Sequence, residues 1–212
     1  DTLDGLNLPA GDDNINIGGH MTGSVIYGDA RKLEGTAQGG NDIIKIGSMD
    51  SSGEVYGDAK TMHNDARGGN DIINIGEVSG GKVAGDAGLA FDVAGQGGFG
   101  HDKITVDVMK GGVLAGDVAG ETWGDMVSYP YWETHAGRYG KRALGGHHEI
   151  TLSRRVDSIV AGDVGNQMNG SATAGHDNII IGVRTCCREV VHALHARPGG
   201  REHIYRRGRD HP

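Results

Sequence analysis

Ten aspartates fall into two series along this sequence, and carboxylates repeated at fixed intervals can hold cations, share protons or cap turns. Asp13, Asp42, Asp71, Asp102 and Asp177 each open an Asp-x-Ile-x-Ile/Val segment, and His148 takes the same place in a degenerate copy, His148-Glu-Ile-Thr-Leu152. Successive copies lie 29, 29, 31, 46 and 29 residues apart. Asp29, Asp58, Asp86, Asp117 and Asp163 close a second segment ending in Gly-Asp, 15 or 16 residues after each member of the first series. Stacked copies would turn each series into a file of carboxylates ~5 Å apart, repelling by ~0.8 kcal/mol per pair in bulk water and several times more at an effective dielectric near 20. Protonation offsets that repulsion only in acid, whereas bound cations offset it at neutrality. Carboxylates and the carbonyls of tight glycine turns are hard oxygen donors, suited to Ca2+ rather than to zinc or copper. Gly40, Gly69, Gly98, Gly100, Asn41 and Asn70 therefore join the ten aspartates as candidate ligands. The competing role is turn capping by Asp without any metal, although capping alone would accept Asn or Ser at the same positions.

The elements that must position these residues are short strands. Both repeated segments are about five residues long, β-branched and bounded by Gly, Asn and Asp, which favours strand over helix. Stacking the units lines up Ile15, Ile44, Ile73, Ile104, Ile150 and Ile179 in one apolar ladder and Ile17, Ile46, Ile75, Val106, Leu152 and Ile181 in a second. Neither strand could bury its apolar face alone, so a solenoid follows from the repeat itself. The expected fold is all-β, a parallel β-roll or β-helix of about six two-strand units spanning residues 1–182. An aromatic-rich insertion occupies 122–147, and a basic, non-repeat tail at 183–212 has the character of a disordered or out-of-frame segment.

Composition agrees. Forty of 212 residues are Gly and only 5% are aromatic, too little side-chain area for a compact helical enzyme. With four Pro and no Gly at every third place, collagen is excluded. The formal charge of −8 hides a −12 body before residue 183 and a +4 tail. Such a body attracts cations and repels phosphates, which argues against nucleic acid as a partner. No apolar run is long enough to span a bilayer, no signal peptide opens the chain, and the text reads as an internal piece of a longer protein. The only cysteines, Cys186 and Cys187, are adjacent and make no disulfide framework.

Gly97-Gly98-Phe99-Gly100-His101-Asp102-Lys103-Ile104-Thr105 resembles the nonapeptide of the RTX, or haemolysin-type, calcium-binding repeat, and shortened forms occur at Gly40–Ile44, Gly69–Ile73 and Gly175–Ile179. The resemblance implies a parallel β-roll with Ca2+ between successive turns, in a secreted or surface-attached bacterial protein. Its unit here is about 29 residues, longer than the family's. The expected function is calcium binding coupled to folding in a segment of a large extracellular protein, with a host-surface or matrix ligand as a further partner. A metal-free stalk or adhesin segment is the alternative, and a polysaccharide-active β-helix enzyme a more distant one.

Catalytic signatures are lacking. His147-His148-Glu149 has no second His at metalloprotease spacing, and neither a Gly-x-Ser-x-Gly elbow nor a phosphate-binding Gly-rich loop occurs. The chain is therefore expected not to be an enzyme. His148 interrupts the first aspartate series, so its unit is expected to bind calcium weakly or not at all.

Overall fold

Alternation of Ile with polar residues after each Asp makes one face of every such strand apolar, and 29-residue spacing brings that face back in register turn after turn. The computed structural model describes residues 2–5, 10–91, 93, 98–123, 145–156, 158–163, 167–168, 175–184 and 203–206. It is an all-β parallel solenoid with no helix among those residues, so no helix there is long and apolar enough to cross a membrane.

Three sheets form the sides. The first contains β2 (Asn14–Met21), β5 (Ile43–Met49), β8 (Ile72–Val78), β11 (Lys103–Lys110), β14 (Glu149–Val156), β17 (Asn178–Arg184) and β18 (His203–Arg206). The second is built from the three-residue strands β3 (Val25–Tyr27), β6 (Glu54–Tyr56), β9 (Lys82–Ala84), β12 (Val113–Ala115) and β15 (Ile159–Ala161). The third contains β1 (Thr2–Gly5), β4 (Ala30–Gly35), β7 (Ala59–His63), β10 (Ala87–Phe91), β13 (Glu121–Trp123) and β16 (Gln167–Met168).

Both expected ladders form in register. Ile44 pairs with Ile15 and Ile73, Ile150 with Ile104 and Ile179, and the second ladder runs alongside. Every member from Ile44 onward in the first ladder and from Ile46 onward in the second is buried. Met21, Met49, Val78 and Met109 add a third inward file, facing Val55, Val83, Leu114 and Val160 of the second side. Ile73→Ala would remove a side chain with no exposed surface from the middle of the stack. Expected is a loss of about 2–5 kcal/mol, read from urea midpoints, with the neighbouring turns unable to collapse into the gap.

The expected parallel solenoid is present, and of the two forms named for it the structure is the β-helix. Each unit is a single wide turn of three strands, one more than the two read from the sequence. The strand that sequence reasoning missed follows Gly-Asp directly. Its inward positions are Ala30 and Leu33, Ala59 and Met62, Ala87 and Ala90. They lack the β-branched residues that mark strands, and small Ala side chains let this side lie close to the others. The corner between the first and second sides turns on Gly80–Gly81 and Gly111–Gly112, all at φ between 80° and 97°, a region closed to most side chains.

Most of the insertion at 122–147, with its aromatic side chains, lies outside the described residues. Of the basic tail, residues 183–184 complete β17 and residues 203–206 form β18, which extends the first sheet in parallel. The rest of the tail also lies outside the described residues.

Candidate metal centre

The two aspartate series converge inside the solenoid. Asp42, Asp58, Asp71, Asp86, Asp102, Asp117, Asp163 and Asp177 are all buried, each at 4% exposure or less, which is rare for Asp without partners. The first series immediately precedes the strands of the first side, and the second sits where the second side turns into the third. Asp13, Asp29 and Asp42 place ligand atoms within 4.8 Å of one another, as do Asp42, Asp58 and Asp71. Asp42 belongs to both groups, so the two files form one internal column rather than two separate ones.

Glycine makes this approach possible. A Cβ on Gly28, Gly57, Gly85 or Gly162 would collide with the carboxylate of Asp42, Asp71, Asp102 or Asp177, and one on Gly39 or Gly68 with that of Asp58 or Asp86. The corner glycines stack as closely, since a Cβ on Gly69 would run into the Gly40 carbonyl and one on Gly100 into that of Gly69.

One oxygen of each carboxylate has a defined task. The amide of Asp13 donates to Asp42 Oδ1 at 2.6 Å, that of Asp42 to Asp71 Oδ1 at 2.7 Å, and that of Asp71 to Asp102 Oδ1 at 2.8 Å. In the second series the amides of Gly40, Gly69, Gly100, Gly146 and Gly175 donate to Asp29, Asp58, Asp86, Asp117 and Asp163. Asp58 takes the Gly69 amide on both oxygens, whereas in most of the others one oxygen is left over. Asp29 Oδ1 and the Oδ2 atoms of Asp42, Asp71, Asp86, Asp102 and Asp117 are buried and make no hydrogen bond.

With no cation beside them, several of these buried acids are pushed above the usual carboxylate range. Burial raises Asp29 to about 6 against the pull of the Gly40 amide. It raises Asp42 to about 7, with Asp29 and Asp13 adding repulsion against the relief from the Asp13 amide, and Asp71 to about 9, helped by Asp102. Asp58 and Asp86 are pushed well above the usual carboxylate range by burial and by their acidic neighbours. Asp117 is raised to about 8 by burial, despite His148 beside it.

His148 replaces aspartate in this column. Its Nδ1 accepts the Asp102 amide at 3.1 Å, as Asp Oδ1 does in other turns, and its Nε2 lies 2.6 Å from Asp117 Oδ1. Burial opposes a charge on this ring, but Asp117 and Asp102 outweigh it and push its pKa well above the usual histidine range; in that charged form Nδ1 donates to the Asp102 carboxylate, 3.3 Å away, in place of accepting the amide.

Sequence reasoning did not foresee a second ladder, on the outside. Asn41 Oδ1 accepts from the Asn70 amide and side chain, Asn70 Oδ1 from the His101 amide, His101 Nδ1 from that of His147, and His147 Nδ1 from that of His176. The three imidazoles stack at 5.0 and 5.1 Å. Asn41 and Asn70, candidate ligands by sequence, thus direct their side chains along this exposed file. Gly40, Gly69 and Gly100 contribute amides to the acidic column, and the Gly98 carbonyl accepts from Gly68. The available signal was the residue before each Asp or His of the first series, which reads Asp12, Asn41, Asn70, His101, His147 and His176. A shallow furrow of about 390 Å³, edged by Asn16, Lys45, Asn74 and Asp107, lies on the outer face of the first side. The buried carboxyls belong to the interior.

The donor set of the column is entirely oxygen up to His148. Two oxygens on opposite sides of a Ca2+ ion stand at most ~5 Å apart, and the ligand atoms of each group all lie within 4.8 Å of one another. These buried acidic clusters can hold a metal ion, and the unused oxygens are the atoms that would meet it. The chain matches no family model, no curated protein and no solved structure.

Proposed function

We propose that this chain is a calcium-binding segment of a secreted or surface-attached RTX-like protein, folding as the ions enter its interior. The observation that carries the reading is the set of buried carboxylate oxygens without hydrogen bonds, drawn from both series at Asp29, Asp42, Asp71 and Asp86. At neutral pH they must hold protons well above their usual range or meet cations, and divalent ions neutralise two carboxylates at once. Asp42, Asp58 and Asp71 would hold one ion between adjacent turns, and Asp13, Asp29 and Asp42 another. An ion at these places ties together turns that otherwise repel, so binding free energy becomes folding free energy. Extracellular calcium modules work at ~10⁻⁴–10⁻³ M. A chain left unfolded in a calcium-poor cytosol and set outside the cell is consistent with that range. In this role the protein is a structural or adhesive module and not an enzyme.

One observation favours a second reading. The amide bonds to Asp Oδ1 would serve a metal-free solenoid equally well, with the remaining oxygens protonated. Far-ultraviolet circular dichroism separates the two. Chelated protein at pH 8 should have lost part of its β signal and should regain it on titration to millimolar Ca2+, with more than one ion per chain by elemental analysis. An unchanged spectrum with chelator, and no bound calcium, would leave the metal-free stalk.

A further inference from the structure

His148 is the one nitrogen donor in the acidic column among the described residues, and we propose that it founds a separate site for a borderline divalent cation such as Zn2+. The ligands would be His148 Nε2 and Asp117, with Asp102 orienting the ring and Asp163 and Asp177 supplying oxygens from the far side. The inference rests on the cation reading above for its neighbours but assigns a different class of metal to this turn.

The argument starts from the donors. Ca2+ takes oxygen ligands, whereas imidazole suits Zn2+ and its first-row relatives. His148 is within 4.8 Å, ligand atom to ligand atom, of Asp102 and Asp117 in one group and of Asp163 and Asp177 in another. All five side chains are buried, at 4% exposure or less. Asp117 is fully buried, and while its Oδ1 takes the Gly146 amide and faces Nε2, its Oδ2 makes no hydrogen bond.

Ring orientation fits as well. A metal-bound histidine gives its other N–H to a carboxylate or carbonyl, which fixes the tautomer. His148 Nδ1 is 3.3 Å from Asp102 Oδ2 and 3.1 Å from the Asp102 amide. A small tilt therefore exchanges an accepted amide bond for a donated one to the carboxylate of the same residue. The lone pair of Nε2 then faces Asp117 Oδ1 at 2.6 Å, a distance at which the two share a proton. A Zn2+ ion at about 2.0–2.2 Å from each ligand would displace that proton and open the pair to roughly 3 Å. No equivalent exists at Asp42 or Asp71, where only oxygens meet.

The test titrates the full chain, in excess Ca2+, with Co2+ as a spectroscopic substitute for Zn2+. Expected is one tightly held Co2+ per chain, with the intense visible absorption of a low-coordinate nitrogen–oxygen site, displaced by equimolar Zn2+ and not by millimolar Ca2+. His148→Asp restores the aspartate of the other turns and should keep the Ca2+-loaded β signal while weakening Co2+ by about 100-fold or more. Asp102→Asn should weaken it by about 10–100-fold through loss of the ring's partner. Absence of the band, displacement by Ca2+, or an unchanged band in His148→Asp would overturn the site and leave His148 as an internal substitute for a cation. Calcium binding without cobalt binding defeats this inference alone, and cobalt at His148 without calcium elsewhere defeats only the calcium reading.

Discussion

Stripped of divalent cations, the chain should lose stability steadily as pH rises from about 4 to about 9, and Ca2+ should restore it at neutral pH. In the unfolded chain these aspartates release their protons near 3.8, while in the fold Asp29 does so at about 6, Asp42 at about 7, Asp117 at about 8 and Asp71 at about 9. Over that window the folded state binds more protons than the unfolded one. Raising the pH therefore favours unfolding. The stabilising protonation is complete below the unfolded value and is lost as each folded value is passed. For a chain of this length each kcal/mol moves Tm by about 2–4 °C, and with four carboxyls contributing, Tm in chelator should fall by more than about 10 °C between pH 5 and 9. Calcium takes the place of the protons, so the Ca2+-loaded curve should be nearly flat from pH 6 to 9. Thermal melts across that range, with and without chelator, make the measurement. A chelated chain equally stable at pH 5 and pH 9 would mean that the column is neither protonated nor strained by charge.

Asp71→Asn should act in opposite directions on the two forms. The amide oxygen of Asn can still accept the Asp42 N–H now bound at 2.7 Å, so the turn keeps its cap. What disappears is a buried acid near Asp42 and Asp102 that keeps its proton up to about 9. In chelator at pH 8 the variant should be more stable than the parent by about 1–3 kcal/mol, since holding that proton far above its unfolded value costs folding free energy. In Ca2+ it should be less stable, with the calcium midpoint raised about tenfold or more, because Asp71 completes the group with Asp42 and Asp58. Paired calcium titrations of parent and variant read both effects. A metal-free solenoid requires the first and forbids the second.

How far the site was legible depended on which residues recur locally. The Asp-x-Ile and Gly-Asp copies are close in composition and spacing, so the ten aspartates and both Ile ladders could be read off the chain. The third strand could not, because Ala59 and Met62 or Ala87 and Ala90 carry no β-branched signature and are read as strand only once they are seen packed. Asn41 and Asn70 look like oxygen donors next to Asp, yet in the stretch leading into each strand neighbouring side chains already go to opposite faces, Asn41 and Asn70 exposed and Asp42 and Asp71 buried. Asp42 and Asp71 turn inward and the Asn side chains outward, along the file that ends in stacked histidines.

By itself the sequence determined that this protein is a parallel β-solenoid with repeated acids, since period-two alternation and a constant 29-residue return are local properties that any stacking must respect. Only the tertiary structure decided that two series of aspartates about 16 residues apart share one buried column. That outcome depends on how three sides close, on corners where Gly28, Gly57 and Gly85 yield the space of a side chain to the carboxylates of Asp42, Asp71 and Asp102. It also decided that His148 stands within that column, bonded on both ring nitrogens to acids 46 and 31 residues away.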